Sequence, residues 1–260
     1  MLMTDSYEQT RNKARELGIC AIIPTYNNAA TVASVVSEVA QYLPHIIVVN
    51  DGSTDETEHN LSQCGVAFDL VSHKRNRGKG HALRTGFRRA VEEGFTYAIT
   101  LDSDKQHFPS DIPQFVSTIA QQPDSLIVGN RNLESENMPK KNTFANKFSN
   151  FWFHVQTGLD LPDTQTGFRL YPLRRLQGLH LLTSRYEAEL ELLVFSAWAG
   201  IRILSLPVHV YYPPQEERVS HFRPAYDFTR ISILNTILCI IALIYGWPRT
   251  LWRNLKNKLR

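Results

Sequence analysis

The stretch ICAIIPTYNNAATVASVVSEVAQYLPHIIVVNDGSTDET, Ile19 to Thr57, changes its apolar period three times. ICAIIP is a short unbroken apolar run, the pattern of a strand buried on both faces. From Ala29 to Tyr42 the spacing lengthens, and Val32, Val35, Val36, Val39 and Ala40 fall on one stripe of a helix. HIIVVN is a second buried strand, and TDETEHNLSQC a second helix, opened by a capping box of Ser53 and Glu56. Outward from this unit the alternation continues. VAFDLV, YAITL and SLIVG are strand candidates, and GKGHALRTGFRRAVEEG and PSDIPQFVSTIAQQ are the helices between them. The expected fold class is therefore α/β, a Rossmann-like, mostly parallel sheet with helices on both faces.

The chain has 260 residues, 43% hydrophobic and 20% charged, which is the composition of a folded globular protein of about one domain. The expected organisation is a polar N-terminal extension over 1–18, the α/β domain over 19–222, and an apolar and basic C-terminal segment over 223–260. A net charge of +3 is too small to point to nucleic acid. The basic residues are unevenly placed, however: seven lie between Lys74 and Arg89 and five between Arg249 and Arg260, with no acidic residue in either run. Cys20, Cys64 and Cys239 are far apart and form no C-x-x-C, so neither a disulfide framework nor a zinc site is expected, and a reducing cytosol fits. The N-terminal MLMTDSYEQTRNKARELG has no apolar core of the kind a secretory signal needs.

In parallel sheets ligands bind outside the carboxyl ends of the strands. Here those ends carry Pro24-Thr25-Tyr26-Asn27-Asn28, Asn50-Asp51-Gly52-Ser53, Asp102-Ser103-Asp104 and Gly129-Asn130-Arg131. Asp51-Gly52 alone would read as a turn, but polar residues recur at each of these strand ends, which favours a site. Asp102 and Asp104 follow the run YAITL directly. In extended backbone their side chains share a face, about 7 Å apart at the Cα atoms. Like charges so placed repel unless a cation lies between them. Mg²⁺ or Mn²⁺, held by hard oxygen ligands together with substrate phosphates, would resolve the repulsion; a solvated loop capping the next helix is the alternative. Asn76-Arg77-Gly78-Lys79-Gly80 lies just before a helix, where free N–H groups and Lys79 would suit a diphosphate. The P-loop and dinucleotide glycine patterns are both absent, against ATPases and dehydrogenases.

Taken in order, IPTYNNAATV, VVNDGSTDET, NRGKGHALRTGF, LDSDKQHFPSDI, IVGNR, DTQTGFRLY, YEAELELL and SHF resemble the motif series of family 2 glycosyltransferases with the GT-A fold, especially dolichyl- and polyprenyl-phosphate mannosyl- and glucosyltransferases. The resemblance runs from Ile19 to Phe222 and implies inverting transfer of a hexose from a GDP- or UDP-linked sugar with Mg²⁺ or Mn²⁺. It assigns Pro24, Tyr26 and Asn28 to the nucleotide pocket and Asp51 to the base or ribose. Asp102 and Ser103 would lie against the ribose, with Asp102, Asp104 and Gln106 at the metal, Lys79 and Arg131 near the phosphates, and Arg218 and His221 toward the donor. The chain departs from the usual pattern at Asn28, Asn50 and His221. Arg218 would supply the cation that His221 replaces, or pair locally with Glu216 or Glu217.

The acceptor decides what further chemistry is needed. A lipid phosphate is already an anion and needs cations such as Arg131, Lys140 or Lys141; a hydroxyl needs a carboxylate to take its proton. Asp163, Glu187 and Glu189 are the candidate bases, although Asp163 reads equally as a turn residue after Pro162 and one of the glutamates as part of a solvated helix face. Ile231 to Tyr245 is uncharged but only 15 residues long. That is short of the roughly 20 a crossing helix needs. With Gly246-Trp247-Pro248 and the basic TLWRNLKNKLR after it, the segment reads as an interfacial or re-entrant membrane anchor at the cytosolic face, with a dimer contact as the alternative. Cutting after Asp227 is expected to leave a folded nucleotide-binding protein. A nucleotide-sugar pyrophosphorylase would open with a glycine-rich loop where this chain has IPTYNNAA, and an inactive membrane scaffold would not need Asp102, Asp104 and Gln106 together.

Overall fold

In the computed structural model the described residues are 2–131, 140–211 and 224–258, with side chains left out at 2–5, 140–144, 224–225, 254 and 257–258. Seven strands form one sheet: β1 (Ile19–Thr25), β2 (Ile46–Asn50), β3 (Asp69–Ser72), β4 (Tyr97–Thr100), β5 (Leu126–Arg131), β6 (Arg169–Pro172) and β7 (Ile203–Val208), in the order β3-β2-β1-β4-β6-β5-β7. The helices are α1 (Leu2–Leu17), α2 (Val32–Val39), α3 (Thr57–Ser62), α4 (Lys79–Glu92), α5 (Ile112–Gln121), α6 (Lys140–Thr157), α7 (Leu173–Leu176), α8 (Glu187–Trp198), α9 (Pro224–Ile241) and α10 (Trp247–Lys258).

The unbroken apolar run of β1 follows from burial on both faces. Ile19, Ala21 and Ile23 pack with Val32, Val35, Val36 and Val39 of α2, while the alternate residues Cys20 and Ile22 pack with Ala82, Leu83 and Ala90 of α4. Period-two side chains thus feed two separate cores. The parallel series is interrupted by β6, which is antiparallel to both β4 and β5, so β4 and β5 run the same way. The C-terminal ends of β1, β2, β4 and β5 therefore share one edge of the sheet. Two strands were not legible as such. β6 is four residues long, and β7, ILSLPV, carries Pro207, which is compatible with its place at the sheet edge.

The N-terminal helix packs onto this sheet at β1, and the C-terminal helices pack onto α6 and α8. The polar N-terminal segment is a helix whose Thr10 and Ala14 are buried, and Arg11 donates to the Ala40 carbonyl at the end of α2. The expected capping box does not form. Asp55 accepts from the Thr57 and Ala29 N–H groups, and Ser53 Oγ accepts from Asn27 N–H, so the Ser53 hydroxyl ties the β1 and β2 tips together.

At the C-terminus α9 passes through a π-helical turn (Ala242–Gly246) into α10, a continuous rod of about 50 Å at the α-helical rise. The apolar stretch is longer than the run Ile231 to Tyr245 suggests: Tyr226–Arg253, 28 residues, is long and apolar enough by length and composition to cross a membrane. Its inner face is committed to the domain, though. Leu234, Leu238 and Ala242 are buried with Phe153 and Trp198, and Gln156 Nε2 donates to Asn235 Oδ1 at 2.9 Å. Gly246 lies so close to the Trp198 indole that a Cβ there would stand 2.4 Å from the ring. The outer face, including Ile233, Ile240, Leu243, Ile244, Leu251, Trp252 and Leu255, is exposed. Cutting after Asp227 would bare the inner face and remove Arg230, the cation paired with the buried Glu187. The C-terminal segment is thus packed against α6 and α8.

Candidate active site

At the tip of β4 the chain turns at Ser103-Asp104 instead of continuing extended, and Lys105 takes a left-handed φ of 61°. The turn is braced by Asn28 Nδ2 donating to Ser103 Oγ at 2.7 Å and by Thr31 Oγ1 donating to the Ser103 carbonyl at 2.6 Å. Asn28 and Ser103, both expected at the nucleotide, are thus brought together. Gln106 N–H donates to Asp104 Oδ1 at 3.1 Å, and the Gln106 carbonyl accepts from Tyr211 N–H.

Asp102 does not face Asp104 without a cation. Lys79 Nζ lies 2.7 Å from Asp102 Oδ1 and 2.8 Å from Glu189 Oε2. Burial pushes the Asp102 carboxyl up, but the Lys79 ammonium outweighs it and holds the group below the usual carboxylate range. Burial likewise disfavours charge on Lys79, and the two carboxylates more than reverse it. The other oxygen of Asp102 rests on Gly167, where a Cβ would meet Oδ2 at 2.3 Å. Asp104 has no cation within pairing distance among the described residues. Burial and the charge of Asp102 push its carboxyl up to about 6.

The glycines before α4 serve packing. Gly78 has φ +96°, and a Cβ there would meet the Ser184 carbonyl at 2.6 Å; one on Gly80 would meet Ala188 Cβ at 2.3 Å. The Gly78 N–H donates to Asp51 Oδ2 at 2.7 Å, and the His81 N–H to the Ser184 carbonyl. The first turn of α4 is therefore pressed onto the start of α8. Asp51 is correspondingly occupied: besides Gly78 it accepts from Arg77 N–H and from His73 Nδ1 at 2.7 Å. It is buried and holds the Arg77-Gly78 loop. Pro24 is buried inside β1, and Tyr26 is half-buried just past its end.

Asp163 is fully enclosed. Its carboxylate receives Nε (2.6 Å) and Nη2 (3.0 Å) of Arg131, Nδ2 of Asn146 (2.6 Å) and the Gln165 N–H (3.0 Å). Burial opposes ionisation, and the Arg131 guanidinium still holds the carboxyl below its ordinary range. Glu187, Glu189 and Glu191 are all buried on α8, so the expected solvated face is absent. Glu187 accepts from Arg230, Glu189 faces Lys79, and Glu191 accepts from Leu182 N–H and from the N–H and hydroxyl of Thr183. None of the three candidate bases, Asp163, Glu187 or Glu189, is without a cation. Arg218 and His221 lie outside the described residues, as do the side chains of Lys140 and Lys141.

Several site residues had no signal of their own in the sequence. Gly167 lay in the quoted segment DTQTGFRLY, but its closeness to Asp102 is a tertiary fact. Arg169 in the same segment is buried and donates to the Thr164, Thr166 and Glu189 carbonyls, bracing the loop against α8. His107 is buried against Phe168, its Nδ1 has no hydrogen-bond partner, and burial pushes it down to about 4, so the ring is neutral beside Asp102.

The donor set suits a divalent cation. Asp102, Asp104 and the Gln106 amide offer hard oxygens, and the uncompensated Asp104 carboxyl marks where positive charge is missing. Among the described residues no group of three or more His, Cys, Asp and Glu side chains forms a complete cage. Mg²⁺-type sites of this kind are completed by water and substrate phosphates.

The sequence profile of glycosyl transferase family 2 matches residues 20–174. A UDP-N-acetylglucosamine–dolichyl-phosphate N-acetylglucosaminyltransferase of Methanococcus voltae is 29% identical over 215 residues, covering 75% of this chain and 86% of that one. A dodecaprenyl-phosphate galacturonate synthase of Rhizobium johnstonii is 30% identical over 249 residues, covering 90% and 68%. Among solved structures, the glucosyl-3-phosphoglycerate synthase of Mycobacterium tuberculosis, crystallised with Mn²⁺, uridine-diphosphate-glucose and phosphoglyceric acid, superposes with a TM-score of 0.65 at 18% identity, covering 90% of this chain and 83% of that one. That likeness is one of fold and identifies the sheet as GT-A. With strand tips, aspartate turn and sheet order all in agreement with the profile match, the chain belongs to glycosyl transferase family 2.

Proposed function

We propose that this glycosyltransferase moves a hexose, mannose- or glucose-like, from a GDP- or UDP-linked sugar to a lipid-linked acceptor, a polyprenyl phosphate, with inversion at the anomeric carbon and at the cytosolic face of a membrane. The observation that carries this reading is the state of the candidate bases. Asp163 is locked by Arg131, Glu187 by Arg230 and Glu189 by Lys79. A hydroxyl acceptor needs a carboxylate free to take its proton, and each of these three is held by a cation, whereas a phosphate monoester attacks as an anion and needs no base. The two relatives named above, both of which act on polyprenyl-type phosphates by name, support the same acceptor class.

In this scheme an acceptor phosphate oxygen bonds to the anomeric carbon as the bond to the donor diphosphate breaks. Asp102, Asp104 and Gln106 would hold a Mg²⁺ or Mn²⁺ ion, which when bound would take up charge developing on the leaving diphosphate. Before the ion arrives Lys79 pairs with the Asp102 carboxylate, which packs closely on Gly167. Asp51 holds the Arg77-Gly78 loop, and the Asn28–Ser103 bond joins the β1 and β4 tips where a nucleotide would lie. Arg131, held by Asp163, would meet the phosphates. The exposed apolar side of α9 and α10, with Arg249 and Lys256, would rest on the membrane surface.

The test is transfer of labelled sugar to vesicles containing either a polyprenyl phosphate or the corresponding free polyprenol, across a panel of GDP- and UDP-sugars. Product with the phosphate and none with the alcohol is expected. Equal transfer to the alcohol would move the assignment to hydroxyl acceptors.

A further inference from the structure

The Lys79 ammonium stands midway between two carboxylates, 2.7 Å from Asp102 and 2.8 Å from Glu189. Among the described residues neither carboxylate pairs with another cation. The base of the side chain is fixed, because Gly78 and Gly80 press the start of α4 onto Ser184 and Ala188. Only the four-carbon stem can swing. Asp102 is equally constrained: a Cβ on Gly167 would meet Oδ2 at 2.3 Å and Oδ1 at 2.9 Å, and Oδ1 is the oxygen that Lys79 holds. An incoming metal ion and Lys79 would therefore compete for the same carboxylate.

We propose that Lys79 is a resident counter-cation of the strand-tip aspartates, displaced from Asp102 and retained by Glu189 when a divalent cation arrives with a nucleoside diphosphate. This rests on the metal reading above and adds to it a role for Lys79 and Glu189 that the diphosphate assignment does not contain. Charge balance makes the exchange economical. Once Lys79 closes on Glu189 that pair is neutral, and Asp102 and Asp104 together match the two charges of the ion. Glu189 keeps the displaced ammonium from being left unpaired in a buried site. A further consequence is ordered loading: the ion alone must break the Lys79–Asp102 contact, whereas an ion carrying a diphosphate brings further interactions to offset that loss. Metal binding and nucleotide binding are then positively coupled, each strengthening the other by the same factor.

The experiment is a Mn²⁺ titration followed by the electron paramagnetic resonance signal of the free ion, with full-length protein, with and without UDP, alongside thermal melting. Wild type should bind Mn²⁺ weakly alone and at least tenfold more tightly with UDP. Lys79→Met removes the competitor and should bind Mn²⁺ alone at least tenfold more tightly than wild type, with the UDP effect reduced. Glu189→Gln leaves Lys79 with Asp102 as its one anion and should weaken Mn²⁺ binding several-fold. Opposite signs in the two variants support the exchange. Weaker or unchanged Mn²⁺ binding in Lys79→Met overturns it, since a lysine that merely orients Asp102 would give that result. If Lys79→Met does not fold, Glu189→Gln decides alone, and tight Mn²⁺ binding there overturns the proposal. Absence of Mn²⁺ binding to wild type even with UDP would overturn the metal reading as well, which separates the two failures.

Discussion

Replacing Ile244 and Leu251 by serine, together, tests whether the outer face of the C-terminal rod meets a membrane. Both side chains point away from the domain, with 74% and 64% of their surface exposed, while Leu238 on the inner face is fully buried. Full burial of such a side chain is worth about 1.5–3 kcal/mol, so each has about 1–2 kcal/mol still to gain from an apolar environment. A helix lying at the headgroup boundary is immersed on one side, and with about half of that gain realised the pair contributes about 1–2 kcal/mol. Loss of both should lower vesicle partitioning about 5- to 30-fold at a tenfold change per 1.4 kcal/mol. Arg249 and Lys256 add about 1 kcal/mol each near an anionic leaflet, so the residual binding should be salt-sensitive. The assay is co-sedimentation with vesicles of neutral and anionic lipid at low and high salt, with thermal melting as control. Melting should hardly change, because exposed substitutions shift stability by about 0.5 kcal/mol or less. Leu238→Ala should do the reverse: lose about 2–5 kcal/mol of stability while a folded fraction still partitions. Vesicle binding unaffected by the double serine variant would refute the membrane face, and dissociation of a dimer in its place would identify the rod as a subunit contact.

The remaining predictions concern the site. Asp104→Asn should retain the wild-type melting temperature and lower turnover on the order of 100-fold or more, because a charged ligand to the proposed ion is lost; full activity of the variant, or of wild type in excess chelator, would refute the metal role. Gly167→Ala should leave the sheet folded but push Asp102 out of place, since its Cβ would stand 2.3 Å from Oδ2; a displacement of that kind can cost about 100-fold in steady-state rate. Arg131→Met should cost about 3–5 kcal/mol at neutral pH by leaving the enclosed Asp163 charge without its partner, measured by urea unfolding. The folded-state pKa of Asp163 is depressed, so its contribution is present above the unfolded value of about 3.9 and lost as pH falls through the folded value. The gap between wild type and Arg131→Met should therefore narrow in acid.

Local pattern carried the parallel half of the sheet and its ligand-binding edge. β1, β2 and β4 are legible because each is buried on both faces and reads as an apolar run, and the polar residues at their ends are conspicuous for that reason. β6 and β7 are not legible, because a four-residue antiparallel insertion and a proline-bearing edge strand have no period of their own and exist through pairing with distant partners. The site divides in the same way. Asp102 and Asp104 stood out, but the cation beside Asp102 comes from α4 and the anion behind it from α8, a juxtaposition that no spacing encodes. Asp51 was recognisable as a site residue, yet its four-way occupation by His73, Arg77 and Gly78 depends on a loop more than twenty positions away. The glutamates of α8 misled for a specific reason. Alternating Glu and Leu in YEAELELL suggests an amphipathic helix, whereas α4, α6 and α9 surround it and each glutamate is met by its own partner.

Those three glutamates explain how the two ends of the site are tied. Glu189 reaches Lys79 and through it Asp102; Glu187 reaches Arg230 on α9; Glu191 pins the Leu182-Thr183 segment that leads into α8. Buried ion pairs of this kind offer little net stability once desolvation is subtracted, but removing one partner is expensive, so they fix relative position more than they add strength. α8 consequently holds the strand-tip aspartates and the C-terminal rod in one frame. In the proposed membrane-bound state, a bilayer against the outer side of α9 and α10 orients the sheet edge relative to the lipid surface without a crossing helix. The carboxylates of that frame are already neutralised from within, except Asp104. A donor arriving with a divalent ion would supply the missing charge there, and an acceptor arriving as a phosphate would ask for no proton in return. The arrangement of ion pairs thus favours an anionic nucleophile on the same grounds that it favours a divalent ion.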